Sequence, residues 1–168
     1  QTVSVNLSRA QLREAPLAAD VLQALRTHGV ASGQLQLEIT ESLAAQDPSM
    51  QARLHEIKAL GVTLALDDFG TGYSSLSCLH ELPIDVVKID RSFVSLARTS
   101  DYHRVLIEAT VLMARTLGMG TLAEGIETAE QADMMRAIGC GKGQGYLFSK
   151  PLERDALMQW IRQCPRAA

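Results

Sequence analysis

The stretch TLALDDFGTGY, Thr63 to Tyr73, is an apolar run that ends in two adjacent carboxylates and opens into a glycine-rich loop. Val62 to Leu66 has the composition of a short strand, and Asp67 and Asp68 stand at its end. The same arrangement recurs along the chain. SVN ends on Asn6, LQLE on Glu38 and TLAE on Glu124, while VVKID carries Lys88 and Asp90. A sixth run, GQGYLF, has Gln144 at its start. Apolar strands that all finish in acidic groups would crowd like charges at one end of a parallel sheet, which costs free energy unless cations neutralise them. An isolated Asp-Asp pair would as readily make turn hydrogen bonds. With Asn6, Glu38 and Glu124 at equivalent ends, a strand-end site for divalent cations is favoured. Neighbouring carboxylates can bridge two ions, and magnesium or manganese prefers such oxygen donors.

Helical signals separate the runs. Ser8 with Gln11 forms a capping-box pattern ahead of a helix carrying Val21, Leu22 and Leu25, which stops near Gly29. Leu35, Leu37 and Ile39 alternate with Gln36, Glu38 and Thr40, the period of a strand. Asp47-Pro48 marks a helix start, with Leu54, Ile57 and Leu60 on one face. Val86 to Ile89 reads as a strand, Val105 to Leu117 as a long helix, and Met119 to Ala123 as a strand. Thr128 and Gln131 offer a second capping box before a helix that stops at Gly139. Gly145 to Phe148 is expected to be the last strand, followed by an amphipathic helix with Leu157, Trp160 and Ile161.

Alternating strands and helices imply a parallel sheet. A doubly wound sheet would carry a glycine-rich phosphate loop after its first strand, and none is visible. Polar residues at the ends of many strands are the pattern of a (β/α)8 barrel, which typically needs about 250 residues. The 168 residues therefore predict an α/β, TIM-like (β/α)8 barrel that is incomplete, with about six βα units.

The bulk properties narrow the function. Net charge is -3 and no basic stretch occurs, which disfavours duplex DNA or RNA as a partner. No apolar run approaches the ~18 residues of a membrane span. Cys78, Cys140 and Cys164 are widely spaced and match neither a zinc knuckle nor a disulfide framework, as expected of a cytoplasmic domain whose parent has room for a membrane tether elsewhere. His28, His55, His80 and His103 all avoid the strand ends, which disfavours zinc. Lys88 has two readings: a buried partner of Glu38, or a group that holds or helps deprotonate a nucleophilic water. Asp90 either orients Lys88 or caps the turn toward Ser92. Glu41 either anchors the Gly70-Thr71-Gly72 loop or starts the next helix.

LEITES (Leu37 to Ser42), LALDDFGTGYSSL (Leu64 to Leu76), IDVVKID (Ile84 to Asp90), AEGIET (Ala123 to Thr128) and QGYLFSKP (Gln144 to Pro151), together with VSVNLS (Val3 to Ser8), resemble successive motifs of the EAL domain. The resemblance spans nearly the whole chain, in order, and the DDFGTGYSSL run is its most specific part. It implies a single EAL-like domain over residues 1–168 that hydrolyses the bacterial second messenger cyclic di-GMP to linear pGpG with two magnesium or manganese ions, calcium being inhibitory. On that resemblance, Asn6, Glu38 and Asp67 would hold the first metal, and Asp67, Asp68 and Glu124 would serve the second. Lys88 would position or activate the water, with Glu124 and Glu127 also at the catalytic centre. Gln144 and Asp90 would support the substrate. Glu41 would brace the loop that starts at Asp68, a loop tied in the family to dimer contacts, so that a homodimer is implied.

One departure stands out. The namesake Glu-Ala-Leu tripeptide belongs ahead of VNLS, and no such tripeptide occurs in this sequence. The expectation is that the first two strands, and a glutamate that completes the first metal shell, are missing here. An active phosphodiesterase is then expected of the intact parent, with weak or no activity for this portion alone. The alternative is a non-catalytic module that binds cyclic di-GMP or a protein partner.

Overall fold

In a computed structural model of the chain, the described residues are 2–14, 16–40, 48–70, 79 and 81–163. Among the described residues, six strands form one parallel sheet in sequence order: β1 (Val3–Asn6), β2 (Leu35–Thr40), β3 (Thr63–Phe69), β4 (Val86–Ile89), β5 (Gly120–Ala123) and β6 (Lys142–Gly143). The connecting helices are α1 (Arg9–Arg13), α2 (Leu17–His28), α3 (Pro48–Lys58), α4 (Arg91–Leu96), α5 (Asp101–Thr116), α6 (Ala129–Ile138) and α7 (Arg154–Gln163). Every strand pair is parallel, which is what repeated βα crossovers produce. Glu41, Asp47, residues 71–78 with Cys78, His80 and Cys164 lie outside the described residues.

Alternation along the strands sorts the side chains onto two faces. Leu37, Ile39, Leu64, Leu66, Val87 and Ile89 face one way and are buried, joined by Leu12, Leu54 and Ile57 from the helices. Burying each such side chain contributes about 1.5–3 kcal/mol, and this face holds sheet and helices together. Gln36, Glu38, Lys88 and Asp67 fall at positions of the opposite parity and point to the other side of the sheet.

Three expectations are corrected. The single helix after Ser8 is two. Ser8 and Gln11 do form the capping box of α1, but Pro16 precedes α2 and its ring disfavours helical backbone in the residue before it. The strand expected at Val62–Leu66 spans Thr63–Phe69 instead and so takes in Asp67 and also Asp68, which was expected to begin the loop. The last strand is not Gly145–Phe148 but Lys142–Gly143. Residues 146–148 form a turn, in which the Phe148 N–H bonds the Gly145 carbonyl at 3.1 Å. Their apolar composition mimics a strand, yet Tyr146 and Phe148 are exposed rather than buried in a sheet.

Candidate active site

The carboxyl ends of β2, β3 and β5 converge on one ammonium. Lys88 Nζ, on β4, lies 2.6 Å from Glu38 Oε2, 2.8 Å from Glu124 Oε1 and 2.9 Å from Asp67 Oδ1. The lysine side chain is only 4% exposed. An ammonium has three N–H donors, and here each meets a carboxylate. Both readings of Lys88 therefore begin from one geometry: it is the buried partner of Glu38 and also of two other acids. Burial opposes its charge, but the hydrogen bonds to Glu124, Glu38 and Asp67 outweigh that and hold its pKa above the usual lysine range. The Glu124 carboxyl is pushed up by burial against the pull of Lys88, with the Asp67 and Glu38 charges adding to the rise.

A bulge brings Asp67 and Asp68 to this point. Leu66 pairs with Val87 and Phe69 with Ile89, so two residues, Asp67 and Asp68, oppose the single Lys88. Bulges re-aim side chains and are common beside active sites. Asp68 carries the strain, with φ at 55°, a region that asparagine and aspartate tolerate better than most residues. Its N–H bonds Asp67 Oδ1 at 3.1 Å. Burial, then the charges of Asp67 and Asp90, raise the Asp68 carboxyl, with Lys88 opposing them.

Asn6 stands at the end of β1, directly in register with Glu38. Asp90 caps α4: its carboxylate accepts from the Ser92 N–H at 2.9 Å and from the Ser92 hydroxyl. Of the two roles considered for Asp90, the structure displays the cap. Two residues not singled out from sequence also belong here. Gln36 is buried, donates to Ser4 Oγ at 2.9 Å and reaches Glu38 Oε1 at 3.5 Å. The signal was present, since Gln36 and Glu38 share a strand face. Arg91 lines a cleft of about 220 Å³ with Glu124, Glu127, Gln144 and Tyr146.

Backbone contacts assemble that cleft. The Gln144 N–H bonds the Ala123 carbonyl at 2.8 Å, the Ile126 N–H bonds the Gln144 carbonyl at 3.0 Å, and the Leu147 N–H bonds the Ile126 carbonyl at 3.0 Å. Only glycine fits at 145, where a Cβ would lie 2.1 Å from the Ile126 carbonyl oxygen. Gly125, at φ 65°, likewise leaves no room beside Arg91. A larger cavity of about 390 Å³ lies on the helix side of the sheet, lined by Phe69, Ile89, Phe93 and Met113 among others. It has no ionisable group suited to acid–base work apart from the phenol of Tyr102, so the chemistry belongs at the strand ends.

The donor set suits hard divalent cations: carboxylate oxygens of Glu38, Asp67, Asp68 and Glu124, with Asn6 in register with Glu38 on the neighbouring strand. Among the described residues, no three acidic, histidine or cysteine side chains are spaced to grip an ion, and the Lys88 ammonium lies against three of the carboxylates.

Residues 1–151 match the model of the EAL domain. The chain belongs to the EAL domain family. It is 40% identical over 161 residues to the cyclic di-GMP phosphodiesterase NbdA of Pseudomonas aeruginosa, covering 95% of this chain and 21% of that protein. The MucR phosphodiesterase of Pseudomonas aeruginosa, solved in complex with cyclic di-GMP, superposes with a TM-score of 0.87 at 38% identity, over 93% of this chain and 64% of that one. BlrP1 of Klebsiella pneumoniae, solved with manganese and cyclic di-GMP, superposes at 0.84 with 28% identity, over 90% of this chain and 39% of that one. A calcium complex of BlrP1 matches equally well. The expected TIM-like architecture and the resemblance both hold, and a divalent ion accompanies cyclic di-GMP in both BlrP1 structures. The chain spans about a fifth of the length of the first curated relatives it matches.

Proposed function

We propose that the polypeptide carrying this EAL domain hydrolyses cyclic di-GMP to linear pGpG, using two magnesium or manganese ions. The observation that carries the proposal is the convergence of Glu38, Asp67 and Glu124, from three different strands, on the buried Lys88 ammonium. Asn6, Glu38 and Asp67 would hold one ion, and Asp67, Asp68 and Glu124 the other. When bound, the ions would lower the pKa of a water molecule and offset the charge of the phosphodiester. Lys88 would hold that water and steady its negative charge as the proton leaves. Gln144 and Glu127, on the wall of the cleft, would orient the substrate, with Arg91 near enough in the same cleft to meet an anionic group. Asp90 would act indirectly, by fixing the start of α4 and so the position of Arg91.

The family resemblance further supports a homodimer, with Glu41 bracing the loop that follows Asp68. A cytoplasmic site of action fits the ligand seen in the related structures, and no described helix is long and apolar enough to cross a membrane. Chromatographic detection of pGpG from cyclic di-GMP, with the full-length polypeptide in magnesium and then in chelator, tests the proposal. Magnesium-dependent product is expected. No product at micromolar enzyme would defeat it.

A further inference from the structure

We infer that Lys88 competes with divalent cations for the oxygens of Glu38, Asp67 and Glu124, so that the lysine holds the metal ligands together and also weakens metal binding. The inference rests on the metal-dependent phosphodiesterase proposed above.

The geometry leaves few alternatives. All three Lys88 contacts are at or below 2.9 Å, so the ammonium lies against the very oxygens a metal would ligate. An oxygen-bound magnesium ion sits about 2.1 Å from its ligand. Two cations sharing those oxygens would be close neighbours, in a place where the lysine is 4% exposed and water screens little. The oxygens are further engaged: Glu38 Oε1, the second oxygen of that carboxylate, faces the Gln36 amide at 3.5 Å, and Asp67 Oδ1, already in contact with Lys88, also accepts from the Asp68 N–H. An ion that takes any of the three oxygens against Lys88 must therefore compete with the ammonium for it. The benefit of the arrangement is that acids from three strands are gathered without mutual repulsion. The cost falls on affinity. A lysine that served only to hold a water would leave metal affinity unchanged, or lower it when removed.

The test is calorimetric titration of Mn2+ into the full-length polypeptide, for the wild type, the neutral variants Lys88→Met and Lys88→Gln, and the charge-conserving Lys88→Arg. Both neutral variants should bind Mn2+ at least about tenfold more tightly than wild type, the order expected when one buried like charge leaves an ion's reach. Lys88→Arg should bind no tighter than wild type. Thermal melts should agree, with a larger Mn2+-induced rise in Tm for the neutral variants. Equal or weaker Mn2+ binding in the neutral variants overturns the inference and leaves the phosphodiesterase standing. Failure of both neutral variants to fold even at saturating Mn2+ also overturns it, since the ion then does not replace the ammonium. No saturable binding in any of the four proteins overturns both.

Discussion

Gly145→Ala should open the substrate-side wall of the site without touching a single charged group. An alanine Cβ there would lie 2.1, 2.3 and 2.7 Å from the O, N and C atoms of Ile126. These are backbone atoms, so no rotamer change relieves the clash, and the two segments must separate by roughly 1 Å or more to restore ordinary contact distances. Separation strains the hydrogen bonds from Ile126 to Gln144 and from Leu147 to Ile126, both 3.0 Å, and then the 2.8 Å bond from Gln144 to Ala123. At about 0.5–1.5 kcal/mol for each bond, the loss is about 2–4 kcal/mol. That corresponds to roughly 30- to 700-fold in a local opening equilibrium. Amide hydrogen exchange at Ile126, Gln144 and Leu147 reads this directly, and protection should fall by such a factor. Gly143→Ala is the control. Its nearest neighbour is the Ile126 Cδ1 at 2.6 Å, the end of a side chain that can turn away, so protection should change by less than about tenfold. Unchanged protection in Gly145→Ala, or an equal loss in both variants, would refute the reasoning.

Asp90→Ala should cost about 1 kcal/mol at neutral pH, the usual loss for an N-cap, measured by chemical denaturation. Burial alone would raise this carboxyl, but the Ser92 and Arg91 hydrogen bonds hold it below its ordinary 3.8; the stability it supplies is complete above that value and is lost as pH falls through the lower folded one, so the gap to the variant should close in acid. A gap of constant width would count against the cap. Glu124 has the opposite sign: raised above 4.5 by burial first, then by Asp67 and Glu38, it contributes stability that is complete below 4.5 and lost as pH rises through its folded value. In chelator, wild type should therefore lose stability relative to Glu124→Gln as pH rises from 4.5, and parallel pH profiles would contradict this. Leu54→Ala, at a fully buried position on α3, should cost about 2–5 kcal/mol in urea denaturation, and a loss below about 1 kcal/mol would mean that the helix–sheet core is looser than described.

What could be read without coordinates was whatever near neighbours along the chain encode. LQLEIT announces a strand by alternation, Thr128 and Gln131 announce a helix by capping, and the acids at the ends of apolar runs announce a site. The same local logic failed where composition and burial part company. Tyr146-Leu147-Phe148 has strand composition, but a turn holds it because Gly145 packs on the Ile126 backbone. Pro16 split a helix that periodicity alone would have kept whole.

The chain order by itself determined that Glu38, Asp67, Lys88 and Glu124 each sit at the carboxyl end of a strand, because alternation and breakers are short-range signals. Only the tertiary structure decided that three of them clasp the fourth. Glu38 and Lys88 are 50 residues apart, and strand register across β2, β3, β4 and β5 together with the bulge at Asp67-Asp68 sets their meeting point. Side-chain convergence across a sheet depends on which strands pair and by how much they are offset, and no window along the sequence contains that offset.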